Sequence, residues 1–197
     1  INPHLLYNTL ESIYWKSELE GKSETAEMIK ELSKLMKIGL SRGRELITLG
    51  EELEHARAYT VLQQKRYEYE FRVEWRIDEE TLGVLIPKIT LQPLIENAII
   101  HGVKNMGEDG AIVVSACREG ADAVIRIEDN GYKDADLAAI DRLLNADRGD
   151  PSLGYGIRNV HQRIRLHFGP PYGLSYGRRE GGGTAVAIVL PTGGAES

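Results

Sequence analysis

One cysteine in 197 residues leaves no partner for an internal disulfide. Cys117 closes the apolar run at 111–116, where it reads as a small buried core residue in a reducing compartment. Long hydrophobic runs are missing too: the stretch at 94–100 is interrupted by Glu96 and Asn97, far short of the roughly 20 apolar residues that a membrane-spanning helix needs. Basic residues are in deficit. Twenty-four Lys and Arg against 30 Asp and Glu give a formal net charge of -6, which excludes general binding to nucleic acid or membrane surfaces through the chain's own field. No Cys or His cluster has zinc spacing, no internal repeat is present, and low complexity is confined to the tail at 193–197. Position 1 is Ile rather than Met, and no basic n-region with an apolar core follows. The expectation is an excised fragment, with an anchor or sensing segment upstream of it.

What is present divides in two. Asn2-Pro3 starts or kinks a helix in which Leu6, Leu10, Ile13 and the pair Tyr14/Trp15 recur at helical spacing up to Leu19, before Gly21 breaks the pattern. A second helical set, Met28/Ile29, Leu32, Leu35/Met36 and Leu40, runs from Ser23 or Thr25 to the break at Ser41-Arg42-Gly43. Two such helices form an antiparallel hairpin with too little core to stand alone, so its apolar stripe is expected to pair with a second copy in a four-helix bundle. Thr48 caps a third helix with an apolar face of Leu49, Leu53, Ala56, Tyr59 and Leu62. From Glu70 the period becomes two, with Phe71, Val73, Trp75 and Ile77 alternating with charged residues, as in a half-buried strand.

Pro87 and Thr90 then introduce a helix through His101. Strands are expected over 111–118, 123–128, 174–176 and 184–190, and helices over 135–145 and 157–168. The fold class is α+β: a helical hairpin at 1–45, then a two-layer α/β sandwich at 46–197.

Four local features bear on chemistry. In the helix Leu91-Gln92-Pro93-Leu94-Ile95-Glu96-Asn97-Ala98-Ile99-Ile100-His101-Gly102, an amide at Asn97 inside an apolar helix needs a partner, and His101, four residues on, points into the same space. Taken alone, either residue reads as a capped turn or a structural hydrogen bond. Ile127-Glu128-Asp129-Asn130-Gly131 ends a strand with an acid able to accept from an amine such as that of a base, followed by an Asn-Gly turn. Gly154 and Gly156 open a helix and expose its first N–H groups, a ready anion site. Gly181-Gly182-Gly183-Thr184 precedes the last strand and by itself is a loop. His55, His161 and His167 lie on charged helices and are expected to be solvated, as is the basic run Arg158, Arg163, Arg165.

The four features in this order, together with Asn2-Pro3-His4-Leu5-Leu6-Tyr7-Asn8, resemble the bacterial sensor histidine kinases of the LytS and YesM type over essentially the whole chain. That resemblance implies a dimerisation and phosphoacceptor hairpin followed by an ATP-binding domain of the Bergerat (GHKL) type. Carried across, His4 is the phosphoacceptor and Asn8, one turn later, orients a water for dephosphorylation. Asn97 coordinates Mg2+ bridging the ATP phosphates, and His101 lines the pocket beside it. Asp129 reads the adenine amine, supported by Thr184 through a water. Gly131 belongs to the first glycine box, and Gly154 and Gly156 bring backbone N–H groups to the phosphates. The implied partners are a second copy of the chain and a response regulator, with the AraC type of DNA-binding domain one candidate for the latter. The implied location is the cytoplasmic side of a membrane receptor.

This chain departs from the family pattern at three places. Tyr132-Lys133 follows Gly131 where a second glycine is usual, Ile100 replaces a common lysine, and Leu5 follows His4 where many histidine kinases of other types carry an acid. The first bears on the geometry of the lid, and the second removes one phosphate contact, so modest nucleotide affinity is expected. Hydrolytic relatives of the fold place a glutamate one turn before the asparagine, and here that position is Pro93; Glu96 projects about 100° away from Asn97 around the helix. The implied activity is therefore phosphoryl transfer to His4 with little ATP turnover. A Bergerat-fold ATPase and a nucleotide-binding dimerisation module without catalysis are the alternatives.

Overall fold

The computed structural model describes residues 3–39, 44–68, 70–132, 136–145 and 155–193. Helix α1 (Pro3–Leu19) and helix α2 (Ser23–Gly39) form the hairpin, turning at Gly21 with φ 70°. Strand β1 (Leu46–Thr48) leads into α3 (Leu49–Arg66), followed by β2 (Phe71–Ile77) and β3 (Leu85–Pro87). Helix α4 (Leu91–Asn97) runs directly into a π turn (Ala98–Val103); β4 (Gly110–Glu119), β5 (Asp122–Asp129), α5 (Leu137–Asn145), α6 (Tyr155–Phe168), β6 (Gly173–Arg178) and β7 (Thr184–Pro191) complete the described chain. The short pair β1 and β3, antiparallel, has no counterpart in the sequence reading.

The five-stranded sheet has the order β2-β4-β5-β7-β6, with β2 parallel to β4 and every other neighbouring pair antiparallel. Its register carries Trp75, Val114, Ile127, Val186 and Tyr176 across in one row. Because side chains alternate along each strand, this row and its neighbours, Ile112, Ile125, Ile188 and Leu190 among them, face the helices. The opposing apolar side chains include Leu49, Leu53 and Tyr59 of α3, Leu91, Leu94 and Ile95 of α4, and Val160 and Ile164 of α6. Each fully buried aliphatic side chain contributes about 1.5–3 kcal/mol. The expected mixed sheet with helices on one face is the architecture found. Cys117 is a correction: alternation that buries Ile112, Val114 and Ala116 puts it on the other face, half-exposed, with Arg126 3.7 Å from its sulfur.

Thr48 caps α3 as expected. Its hydroxyl accepts from the Glu51 amide (3.2 Å), while the Glu51 carboxylate accepts from the Thr48 amide (3.0 Å), and this second bond, helped by Arg44, holds the Glu51 carboxyl below the usual carboxylate range. Thr90 does not cap α4 in the same way, since its hydroxyl donates to the Pro87 carbonyl instead (2.6 Å). The cap comes from another helix: fully buried Glu52 of α3 accepts from the amides of Ile89 (2.8 Å), Thr90 and Leu91 (2.7 Å each). Burial pushes the Glu52 carboxyl up, opposed by those three amides and the Arg163 guanidinium.

Two histidines expected in solvent are buried. His55 of α3 is 2% exposed and its Nδ1 has no hydrogen-bond partner among the described residues. His161 of α6 is 5% exposed, and its Nδ1 accepts from the Leu174 amide (3.0 Å). Their sequence neighbours are charged, but each faces inward on its own helix, which composition alone does not reveal. His167 is half-exposed. Within the basic run, Arg163 is not a solvated residue either, because its guanidinium donates to two backbone carbonyls on the turn before α4.

The hairpin rests on the sandwich through α2. Nearly buried Lys65, at the end of α3, pairs with Glu27 (2.9 Å) and Glu24 (3.5 Å) in the first turns of α2, and Leu35 and Ile38 from its other half pack against the core. Helix α1 packs on α2 and leaves Leu5, Ile13, Trp15 and Leu19 exposed.

Candidate nucleotide-binding site

Three backbone segments converge on one aspartate. Asp129 ends β5, is 5% exposed, and its Oδ1 accepts from the Gly131 amide (2.9 Å). The alternation of β5 alone turns this residue inward, after Ile125 and Ile127. A Cβ at Gly102 would lie 2.6 Å from the Asp129 Cγ, and one at Gly131 would lie 2.7 Å from the Gly102 Cα. At Gly183, which has φ 98°, a Cβ would collide with the Asp129 carbonyl oxygen. Glycine is therefore the residue that fits at each wall of the cradle: at Gly102 and Gly131 for space, and at Gly183 for space and conformation together.

Burial pushes the Asp129 carboxyl up, while the amides of Gly131 and Thr184 and the charge of Arg179 pull it down. Thr184 thus touches the site through its backbone, beyond the water-mediated role expected of its side chain. Asn130 fixes the turn: its amide oxygen accepts from the Ala111 N–H (2.8 Å) and its amide nitrogen donates to the Asp109 carbonyl (2.8 Å).

Asn97 is the last residue of α4 and half-buried, and among the described residues its side-chain amide has no hydrogen-bond partner. The helix then widens into the π turn, closed by the Lys104 amide bonded to the Ile99 carbonyl five residues back (2.8 Å). Such single π turns recur at functional sites, where the extra residue re-aims side chains. Here the turn brings Gly102 against Asp129, whereas His101 and Ile100 stand exposed. Glu96 lies near Tyr59 of α3, where burial and the Glu96 charge push the phenol up to about 12.

Gly156, exposed in the first turn of α6, faces Pro93 of α4 at 3.7 Å from an added Cβ, ordinary contact distance, so space does not demand glycine there. The structure thus brings Gly102, Asp129, Gly131 and Thr184 together, with Asn97 five residues before Gly102 at the end of α4 and Gly156 on the helix that packs against α4. Gly154 lies outside the described residues. It does not place the hairpin residues in this neighbourhood: His4 is in the first turn of α1, with its side chain outside the described part, and Asn8 is exposed one turn later, its carbonyl accepting from Ser12 Oγ (2.8 Å). Among the described residues no cluster of three His, Cys, Asp or Glu side chains is placed to hold a metal ion. The amide oxygen of Asn97 is of the hard-donor type that suits Mg2+, a cation that keeps water and phosphate oxygens in its shell.

A mixed sheet backed by helices, with a buried acid at a strand end and a glycine-lined cradle around it, defines a nucleotide-binding domain of the GHKL class. Comparison with known families agrees, matching the histidine kinase model over residues 1–71 and the "Histidine kinase-, DNA gyrase B-, and HSP90-like ATPase" model over residues 87–194. The chain belongs to this ATPase family, whose domain binds ATP, and its first 71 residues match the histidine kinase model.

Similar proteins include the sensor histidine kinase YesM of Bacillus subtilis (35% identical over 97% of this chain and 32% of that protein) and BtsS of Escherichia coli (33% identical over the same shares). LytS of Staphylococcus haemolyticus is 28% identical over 98% of this chain and 33% of its own length. The chain thus spans about a third of the curated relatives it matches. Among solved structures, the catalytic domain of histidine kinase ThkA aligns with a TM-score of 0.54 at 15% identity, over 75% of this chain and 95% of that one. Histidine kinase AdeS of Acinetobacter baumannii aligns with 0.52 at 17% identity, over 97% and 95%. These two likenesses concern the fold. No described helix is long and apolar enough to cross a membrane.

Proposed function

We propose that this chain is the kinase core of a two-component sensor, transferring the γ-phosphoryl group of Mg-ATP to His4 and from there to an aspartate of a response regulator. The observation that carries the reading is the Asp129 cradle. The Asp129 side chain has Gly102 and Gly131 against it and Gly183 against its backbone; with the amides of Gly131 and Thr184 directed at the carboxyl, its remaining lone pairs accept from the adenine amine. Asn97, whose amide has no partner among the described residues, would hold Mg2+ against the phosphates, with Gly131 and the N–H groups at Gly154 and Gly156 contacting the nucleotide and His101 at the rim. Mg2+ supplies charge neutralisation on the transferring group, and the protein supplies in-line positioning for a neutral imidazole nucleophile. Asn8, one turn beyond His4, is assigned to orienting a water for dephosphorylation.

The division proposed is a phosphotransfer hairpin at 1–45 and an ATP-binding domain at 46–197. Exposed Leu5, Ile13, Trp15, Leu19, Met28 and Leu32 on the hairpin supply the apolar surface for a homodimeric four-helix bundle. A membrane anchor and sensor in the longer protein, and a response regulator with an AraC-type DNA-binding domain, belong to the same proposal. The test is incubation with γ-labelled Mg-ATP and mapping of acid-labile phosphate. Label on His4, abolished in His4→Gln, is expected. Sustained phosphate release by His4→Gln that disappears on Asn97→Ala would instead favour the ATPase reading.

A further inference from the structure

The turn before α4 is held from two sides by side chains remote in sequence. From α3, the two carboxylate oxygens of Glu52 accept the three consecutive amides of Ile89, Thr90 and Leu91 at 2.7–2.8 Å. From α6, the guanidinium of Arg163 spans two consecutive carbonyls, Nη1 donating to Lys88 and Nη2 to Ile89, both at 2.9 Å. Between them Ile89 has φ 58°, a left-handed conformation that a β-branched residue seldom adopts. Strain of this kind persists only where the surroundings over-determine it, and here five charge-assisted hydrogen bonds do so.

Helix α4 has only seven residues, so its start and its end are separated by about 9 Å at 1.5 Å per residue. Whatever sets the turn at 88–91 therefore sets Asn97. The far end of the same unit is fixed by the fit of Gly102 against Asp129. The geometry points to Glu52 and Arg163 as positioning residues of the nucleotide site, a carboxylate and guanidinium clamp that aims Asn97 at the metal-bearing phosphates without touching nucleotide. The functional half of this inference rests on the kinase reading above.

Two substitutions test it. Glu52→Gln keeps the shape but presents an NH2 group to one of the three amides, and Arg163→Lys keeps the charge but cannot bridge two carbonyls. ADP affinity is measured by calorimetry with and without Mg2+, and amide hydrogen exchange is followed in the nucleotide-free chain. Outer-shell partners of metal sites cost about 10–100-fold when removed, so the gain in affinity conferred by Mg2+ should fall about tenfold in either variant. Mg2+-free affinity, set at Asp129, should stay within about twofold, the pattern of an effect confined to the outer shell of the metal. Exchange should quicken over 89–97 and not in β4 or β5.

Unchanged exchange and an unchanged Mg2+ gain in both variants would overturn the clamp. Parallel loss of affinity with and without Mg2+ would overturn it as well, since that is what general destabilisation produces. If wild type binds ADP in neither condition, the kinase reading fails, and the exchange measurement still decides whether the two side chains hold α4.

Discussion

Gly102→Ala tests the cradle with a single methyl group. The backbone at Gly102 is not left-handed, so alanine meets no conformational objection and the effect is one of space alone. Its Cβ would stand 2.6 Å from the Asp129 Cγ, 2.7 Å from Oδ1 and 2.9 Å from Cβ, all well inside contact distance. The carboxyl has little room to retreat: it is buried, tied to the Gly131 amide, and has Gly131 against its Oδ1.

Overpacking of this kind costs about 1–3 kcal/mol. For a chain of this size each kcal/mol lowers Tm by about 2–4 °C, so a fall of about 2–12 °C is expected. Nucleotide binding should suffer separately, because loss of one charge-assisted hydrogen bond costs about 1.5–3 kcal/mol, or roughly 10- to 100-fold in affinity. Thermal denaturation and ADP calorimetry measure the two effects. Gly83→Ala, where an added Cβ meets nothing within 4 Å, provides the control and should behave as wild type. If Gly102→Ala melts and binds ADP like that control, the enclosed Asp129 carboxylate is not the nucleotide-reading group.

Asp129→Asn should weaken ADP and ATP alike, with and without Mg2+, by reversing the hydrogen-bond pattern offered to adenine, whereas Asn97→Ala should cost affinity chiefly when Mg2+ is present. Identical Mg2+ dependence in the two variants would contradict these separate roles. Acid should destabilise the fold through His161, whose pKa burial holds below the ordinary 6.5 and whose Nδ1 must stay unprotonated to accept from Leu174. Stability from this group is complete above pH 6.5, and as pH falls below it the unfolded chain takes the proton first, at a limiting slope of about 1.4 kcal/mol per pH unit. His161→Asn retains an acceptor without the titration, so urea midpoints at pH 7.5 and 5.5 should fall less in the variant than in wild type. Equal falls would mean that His161 does not titrate on unfolding.

How far residues declare their roles depended on the range of the interaction. Periodicity settled the helices and the strand at Phe71–Ile77, because the pattern of apolar side chains is a property of neighbours along the chain. Thr48 was equally legible as a cap; that Glu51, three residues on, completes a capping box is seen in the structure. The acid and glycines at 129 and 131, and the resemblance to sensor kinases, were also readable as local words. Only the tertiary structure decided which polar residues are buried and against what. Glu52 looks like one more charge in a run of acids until α4 is laid across it, 37 to 39 residues later.

His55 and His161 sit among charged neighbours and face inward all the same, since a helix presents both faces whatever its mean polarity. Cys117 follows a largely apolar run and faces out, because strand alternation, not local composition, assigns the side. Gly102, Gly131 and Gly183 belong to three separate segments of sequence, and nothing along the chain says that each makes room around the same residue, Asp129. Sheet order and the π turn bring them together, and steric exclusion between backbones that meet only in the folded state makes them glycine.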